Sequence, residues 1–415
     1  MATVAFHTLG CKVNSYESEA MLEIFKKRGY ETIDFESPAD VYVINTCTVT
    51  NTGDSKSRQM IRKAHRTNPE AVICVVGCYS QVASEEITGI EGVSVVLGTQ
   101  HRASIVDFVE EYKSTHKQIV KIENVMKVSR FEDLSIHAFE NKTRAFLKIQ
   151  DGCNNFCTYC IIPYARGGVR SRPKEDVLRQ AQELVDRGFV EIVLTGMHTT
   201  KIKGLKRLRI SSIEMSQVSD EIIELIGKSP IIVDHLHIPI QSGTDSILRR
   251  MARHYNTAEF EKKYFELKES LPGISITTDV IVGFPGETEE DFVDTYNWIK
   301  KLHFNQLHVF PYSRRRGTPA DRMPSQVPGD VKKERVRRLL KLSDELKTEF
   351  ALSEMNKELE VLIEEEKDGY MVGHASNYLK VLVADTSLKE GHIYKVKVTD
   401  HRGYDLIGVV SSEEA

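Results

Sequence analysis

The chain has 415 residues, 40% of them hydrophobic and 28% charged, with 60 acidic against 56 basic side chains and a formal net charge of −4. That balance excludes a disordered or collagen-like chain and leaves enough length for two or three domains. No apolar run reaches the roughly 18 residues of a membrane span, and the opening MATVAFHTLGCKVN lacks the pattern of a signal peptide, so no membrane partner and a cytoplasmic location are expected.

Over residues 1–122, apolar runs alternate with polar, helix-like stretches. TVAFHTL at 3–9, VYVINT at 41–46, AVICVV at 71–76 and VSVVL at 93–97 predict strands, with helices at Ser15–Arg28 and Asp54–Thr67. The alternation predicts a doubly wound α/β domain with a parallel sheet. Residues 123–142, charged and without periodicity, read as a linker. A second alternation occupies 143–353, with strands at 145–149, 190–195, 207–211, 235–238, 274–280 and 306–310. A long charged helix, about Asp330–Ser353, closes it. The order of these units predicts a partial (β/α) barrel. From 354 to 415 the runs LEVLIEE, GYMVGHA, YLKVLVAD and YKVKVTD predict a small antiparallel β-barrel, a module that often binds RNA.

Basic residues crowd at 56–66 (KSRQMIRKAHR), 201–209 (KIKGLKRLR), 314–316 (RRR) and 332–338 (KKERVRR). Each run alone reads as a solvated face; together they are compatible with phosphate contacts.

Seven cysteines, an odd number, argue against a disulfide framework and for metal ligation or catalysis. Cys153, Cys157 and Cys160 fall within eight residues, in a loop after the strand AFLKIQDG. Zinc in a closed structural site asks for a fourth protein ligand, and the next histidine is His198. A [4Fe–4S] cluster held by three cysteines leaves one iron open to a small molecule. Cys11, Cys47 and Cys78 are far apart, but each ends an apolar run, so three parallel strands would deliver them to one sheet edge. Three inert buried thiols are the alternative. Cys74, in the middle of AVICVV, reads as core packing.

DGCNNFCTYCIIPYARG followed by RSR, then LTGMHT, RISSIE, HLHIPIQSG, DVIVGFPGET and HVFPYSRRRGTPA, resembles the radical S-adenosylmethionine (SAM) methylthiotransferase family over nearly the whole chain. LGCKVN, INTCTVT and VVGC resemble its amino-terminal domain, in the form of the branch acting on threonylcarbamoyladenosine in tRNA. The resemblance implies two [4Fe–4S] clusters, one with SAM on Cys153, Cys157 and Cys160 and an auxiliary one on Cys11, Cys47 and Cys78. It implies that SAM is met by Tyr159, Thr195, Gly196, Ser212, Glu214, Gln241, Gly283 and Pro285. It further implies a TRAM-like carboxy-terminal domain on the anticodon arm, an electron donor such as a flavodoxin-type reductant, and a sulfur donor. The expected activity is 2-methylthiolation of N6-threonylcarbamoyladenosine at position 37 of tRNA. Methylthiolation of a ribosomal-protein aspartate and a non-catalytic iron–sulfur RNA-binding protein are the rival readings. One departure stands out: few residues separate Thr199 from Arg207, where the family has a longer loop and a helix.

Overall fold

A computed structural model describes residues 1–134, 143–195 and 202–413. Its described residues divide into two compact units, the first drawn from Met1–Glu140, Phe146–Leu184 and Ser313–Arg322, the second from Asn141–Ala145, Val185–Tyr312 and Met323–Ala415.

In the first unit, β1 (Thr3–Thr8), α1 (Lys12–Lys27), β2 (Glu31–Thr32), β3 (Val41–Thr46), α2 (Asn51–Thr67), β4 (Val72–Gly77), α3 (Cys78–Val82), α4 (Ser84–Thr88), β5 (Val93–Leu97), α5 (Ile105–Thr115) and β6 (Ile119–Lys121) follow in turn. The strands form one parallel sheet in the order β2-β1-β3-β4-β5-β6. Strand β3 and strand β4 are buried throughout, as strands covered on both faces must be. One face packs Val4, Val43 and Cys74 against Met21, Phe25 and Ile105. The other packs Ile44, Ile73 and Val75 against Ile61 and Ile87. The doubly wound reading is therefore met. Helix α2 starts where the Thr50 side chain accepts from the Gly53 N–H at 3.1 Å, with Asp54 in its first turn.

Residues 123–134 do not behave as a linker. Val125 and Leu134 are buried, the Tyr16 hydroxyl donates to the Leu134 carbonyl at 2.6 Å, and Glu132 pairs with Arg102 at 2.7 Å. Isolated charges along a sequence hide such pairing, because each partner lies elsewhere in the chain. After β7 (Arg144–Lys148), the short β8 (Gln150–Asp151) pairs antiparallel with β9 (Arg170–Ser171), bracketing a loop and α6 (Ile162–Arg166); α7 (Lys174–Asp186) follows.

The second unit carries β10 (Glu191–Thr195), β11 (Arg207–Ile210), α8 (Asp220–Lys228), β12 (His235–His237), α9 (Asp245–Arg250), α10 (Thr257–Ser270), β13 (Ser275–Val282), α11 (Glu289–Leu302), β14 (Gln306–Pro311) and α12 (Gly329–Ser353). Strand β10 pairs parallel with β11, and β12 with β13 with β14. Single parallel bridges at Leu208–Ile232 and Ser212–His237 extend the ladder between the two groups. Capping boxes at Asn256/Glu259 and Thr288/Asp291 start α10 and α11. Of the short crossover, residues 202–206 form a turn, and Gly196 to Lys201 lie outside the described residues.

The tail forms β15 (Glu358–Lys367), β16 (Tyr370–Ala375), β17 (Lys380–Val383), β18 (Ile393–Arg402) and β19 (Asp405–Glu413). Their pairings run β15-β16-β17-β19-β18 and return to β15. The expectation of a wholly antiparallel tail is corrected: β17 and β19 pair parallel. The hairpin of β18 and β19 brings β19 alongside β17 in its own direction, a choice local strand patterns do not contain.

Candidate functional site

The order β2-β1-β3 places the reversal of strand order between β1 and β3, where open parallel sheets bind ligands. Cys11 caps the start of α1 directly after β1, and Cys47 follows β3. Cys78 opens α3 after β4, in a helix rather than the loop its sequence position suggests. Gly10 lies close over Cys47: a Cβ built on it would meet the Cys47 Sγ at 3.1 Å. The Asn14 side-chain amide donates to the carbonyls of Leu9 at 2.7 Å and Thr46 at 3.0 Å, tying the first two cysteine loops together.

Cys11 is exposed, whereas Cys47 and Cys78 are buried. Burial pushes the Cys78 thiol up to about 11, with Arg166 pulling it down and the nearby Cys11, Glu17 and Cys47 adding to the rise. Burial raises Cys47 as well, and Cys11 again contributes. The three thiols thus share one electrostatic neighbourhood. Cys74 is fully buried in β4 and is core, as predicted.

The second trio sits on a loop held from below. The Cys153 N–H donates to the Gly167 carbonyl at 3.1 Å, and the Asn154 side chain accepts from the Val169 N–H at 3.0 Å. Gly152 has φ 78°, and a Cβ there would meet the Gly168 carbonyl oxygen at 2.1 Å, so only glycine fits this approach. Phe156 adopts φ 47° between the first two cysteines, and the Cys160 N–H closes a turn on the Cys157 carbonyl at 2.9 Å. Cys157 is buried, while Cys153, Tyr159 and Cys160 are partly exposed. Among the described residues neither trio of thiols falls within the 4.8 Å mutual spacing that one ion would draw together. Three thiol donors with no fourth protein ligand beside them in the sequence suit a cluster with one open iron better than a closed zinc site.

Sequence reasoning missed what joins the two loops. Glu17 on α1 is fully buried and receives Arg102 at 2.6 Å, Lys148 at 2.7 Å and Arg166 at 2.7 Å. Asp151, two residues before Cys153, receives Lys148 at 2.7 Å and Arg166 at 3.0 Å. Arg166 also donates to the Asn14 side-chain oxygen at 2.9 Å. Residues flanking Cys11 and residues flanking Cys153 therefore share one buried ion cluster. The only signal available was the DG before Cys153 and the ARG after Cys160, which carry the partners without naming Glu17.

The expected SAM contacts lie in the second unit, Tyr159 excepted. Thr195 ends β10, and Gly196 lies outside the described residues. Ser212 is exposed just after β11. Gln241 has φ 63°, and its N–H donates to the Asp279 carbonyl at 2.9 Å. Glu214 pairs with Arg253, one contact being 3.0 Å, and caps the turn at 215–217. Pro285 is buried, and its carbonyl accepts from Arg250 at 2.9 Å. Gly283 has φ 71°, and a Cβ there would meet the Lys332 side chain at 2.4 Å. Its close approach, expected toward a ligand, is toward the chain's own lysine.

The basic runs are partly internal, against the expectation of solvated faces. Arg207 and Arg209 are buried and approach Glu191 at 3.7 and 2.9 Å, Arg315 pairs with Asp54 at 2.7 Å, and Arg335 with Glu287 at 2.7 Å.

Residues 3–98 match a family described as the uncharacterized protein family UPF0004, and residues 147–299 match the radical SAM superfamily. The chain is 53% identical to the threonylcarbamoyladenosine tRNA methylthiotransferase MtaB of Bacillus subtilis, over 96% of this chain and 94% of that one. It is 39% identical to the protein of the same name from Aquifex aeolicus, over 88% and 93%. Identity falls to 33% with the tRNA-2-methylthio-N(6)-dimethylallyladenosine synthase of Finegoldia magna, over 98% and 94%. Among solved structures, the radical SAM methyltransferase TsrM of Kitasatospora setae shares the fold, with a TM-score of 0.58 at 14% identity over 77% of this chain and 74% of that one. No helix among the described residues is long and apolar enough to cross a membrane. Similarity of this extent, joined to the two thiol trios, means that the chain belongs to the radical SAM methylthiotransferase family, in its threonylcarbamoyladenosine tRNA branch.

Proposed function

We propose that this chain converts N6-threonylcarbamoyladenosine at position 37 of tRNA, 3′ of the anticodon, to its 2-methylthio derivative. The observation that carries the reading is that Cys11, Cys47, Cys78, Cys153, Cys157 and Cys160 all lie in one compact unit. Identity of 53% to an enzyme named for this substrate supports it. Cys153, Cys157 and Cys160 would hold one [4Fe–4S] cluster with SAM, and Cys11, Cys47 and Cys78 the second. When bound, these groups supply the radical opening of the adenine C2–H bond and the methylthio sulfur that replaces its hydrogen, which acid–base chemistry cannot do at neutral pH.

The chain's own residues bind, orient and balance charge. Arg166, which draws the Cys47 and Cys78 thiols down, would offset part of the negative charge of the auxiliary trio, and Glu17 and Asp151, with Arg102 and Lys148, tie the two cysteine loops together. Tyr159 would lie against the SAM adenine with Gly283 and Pro285, while Thr195, Gly196, Ser212, Glu214 and Gln241 would take its amino acid and ribose. Functionally, residues 1–122 carry the auxiliary cluster, 143–353 are the radical SAM core built as a partial (β/α) barrel, and 354–415 are a TRAM-like β-barrel for the anticodon arm. Lys367 and Lys397, exposed on that tail, suit phosphate contacts. A flavodoxin-type reductant and a separate sulfur donor would complete the reaction in the cytoplasm.

The test is anaerobic incubation of the cluster-loaded protein with SAM, reductant, sulfide and tRNA already carrying threonylcarbamoyladenosine, followed by mass spectrometry of the nucleosides. A methylthio group in place of one hydrogen is expected, and none with Cys157→Ala. SAM cleavage with unchanged tRNA would leave the radical core standing and transfer the substrate assignment to a protein side chain.

A further inference from the structure

We propose that His237, Asp279 and His308, none of them a member of either thiol trio, form a binding site for a divalent transition-metal ion of the zinc type. Strands β12, β13 and β14 have two unlike faces. Leu236, Ile238, Ile276, Val280, Val282 and Leu307 pack into the helix-covered core with Phe260 and Tyr264. The alternate positions carry His237, Thr277, Asp279 and His308. The parallel register sets His237 opposite Thr277, and Asp279 opposite His308. Two imidazoles and one carboxylate are thereby brought to one face by three neighbouring strands, a more rigid mounting than any loop.

The ligand atoms of the three residues all lie within 4.8 Å of one another. The His237 Nε2 stands 3.2 Å from an Asp279 carboxylate oxygen, and the His237 and His308 rings are 5.5 Å apart between centroids. Ligands around a tetrahedral zinc ion, bound at about 2.0–2.2 Å, sit roughly 3.3–3.6 Å apart, so side-chain rotation of about an ångström closes the site. On the far side of the ring, the His237 Nδ1 is 2.9 Å from the Thr277 hydroxyl, which orients the imidazole with Nε2 toward Asp279. A hydrogen bond on the ring nitrogen facing away from the metal is what metal-ligating histidines use to fix ring and tautomer. Two imidazoles and a carboxylate select zinc, nickel, cobalt or ferrous iron over magnesium and calcium, and leave further coordination positions open. No step assigned to the six cluster cysteines uses these three residues.

The test uses the cluster-loaded protein, with its clusters kept oxidised under anaerobic conditions, dialysed against micromolar zinc and analysed for zinc and iron. One zinc per chain with unchanged iron is expected. Asp279→Asn, which keeps the shape of the carboxylate, and His308→Ala should each lose that zinc, and Thr277→Val should weaken binding about 10–100-fold. Cobalt in place of zinc should give a paramagnetic cobalt resonance that Asp279→Asn abolishes, while the visible absorption of the clusters reports that the variant is folded and loaded. Zinc uptake matched by iron loss, equal zinc in the folded Asp279→Asn protein, or no zinc in the parent would each overturn the proposal.

Discussion

Three cations converge on the Glu17 carboxylate, and two of them continue to Asp151. Burial pushes the Glu17 carboxyl up, but Arg102, Arg166 and Lys148 outweigh it and hold it well below its ordinary value of 4.5. Asp151, buried against Lys148 and Arg166, is likewise held low. A carboxyl depressed by folding adds stability above its unfolded value and loses it as pH falls through the folded one. This contribution is therefore complete at neutral pH and declines only in acid, below the ordinary carboxylate range. Glu17→Gln leaves three buried cations short of a partner and is expected to cost about 3–5 kcal/mol in urea unfolding at pH 7. The loss should shrink at pH 3, and an equal loss at both pH values would contradict the assignment. The cysteines differ on the same scale. In protein stripped of iron, alkylation of the strand-end trio is expected to reach exposed Cys11 first and Cys78, 4% exposed with its thiol pushed up to about 11, last, with the core thiol of Cys74 slower still. Mass spectrometry of timed digests gives the order.

At the scale of elements, the turn from β4 into α3 delivers Cys78, and Gly77 makes that turn possible. Its φ is 102°, and a Cβ would meet the Asn45 side-chain oxygen at 2.5 Å and the Thr46 carbonyl at 2.6 Å. Gly77→Ala combines backbone strain with a clash against the neighbouring strand and is expected to destabilise the protein by about 1–3 kcal/mol. Because Cys78 follows directly, the purified variant should also carry about half the iron of the parent, counted after anaerobic reconstitution. Full iron content would show that the Cys78 thiol tolerates displacement. The GFPG turn after β13 is secured differently: Gly283 and Phe284 donate their N–H groups to Glu287, which Arg335 of α12 holds at 2.7 Å. A motif that reads as a ligand contact is here also an anchor for the long helix.

Within the second unit, the strand ring of the tail is fastened to the parallel sheet by buried arginines. Arg207 donates to the carbonyl of His374 at 3.3 Å, Arg209 to those of Ser376 at 3.1 Å and Ala375 at 3.4 Å. Tyr378 stacks on His235 at 4.8 Å and lies under the Arg209 guanidinium at 5.0 Å. A cavity of about 190 Å³ beside it is lined by Thr277, Gln306, Lys347 and His374 among others. Tyr378→Ala is expected to cost about 2 kcal/mol through the lost ring contacts. Thermal unfolding followed together with limited proteolysis checks this, the tail being cut earlier in the variant.

Much of this was legible from the residues alone. Strand period, strand-end cysteines, the CxxxCxxC loop and the core character of Cys74 are local properties, carried by alternation and spacing within a few residues. The sheet that unites Cys11, Cys47 and Cys78 follows from them, because parallel strands end on one edge. The structure alone decided the partners of charged groups. Glu17 meets Arg166, Asp54 meets Arg315 and Glu191 meets Arg209, and in the first two pairs the sequence separation exceeds any helical or strand repeat. A buried charge is tolerated only beside its opposite, yet either partner by itself looks like a solvated surface residue. Hence residues 123–134, read as linker, that proved packed and the arginines of the basic runs that proved internal, and hence the parallel pairing in the tail and the His237–Asp279–His308 group, which exist only once distant strands are laid side by side.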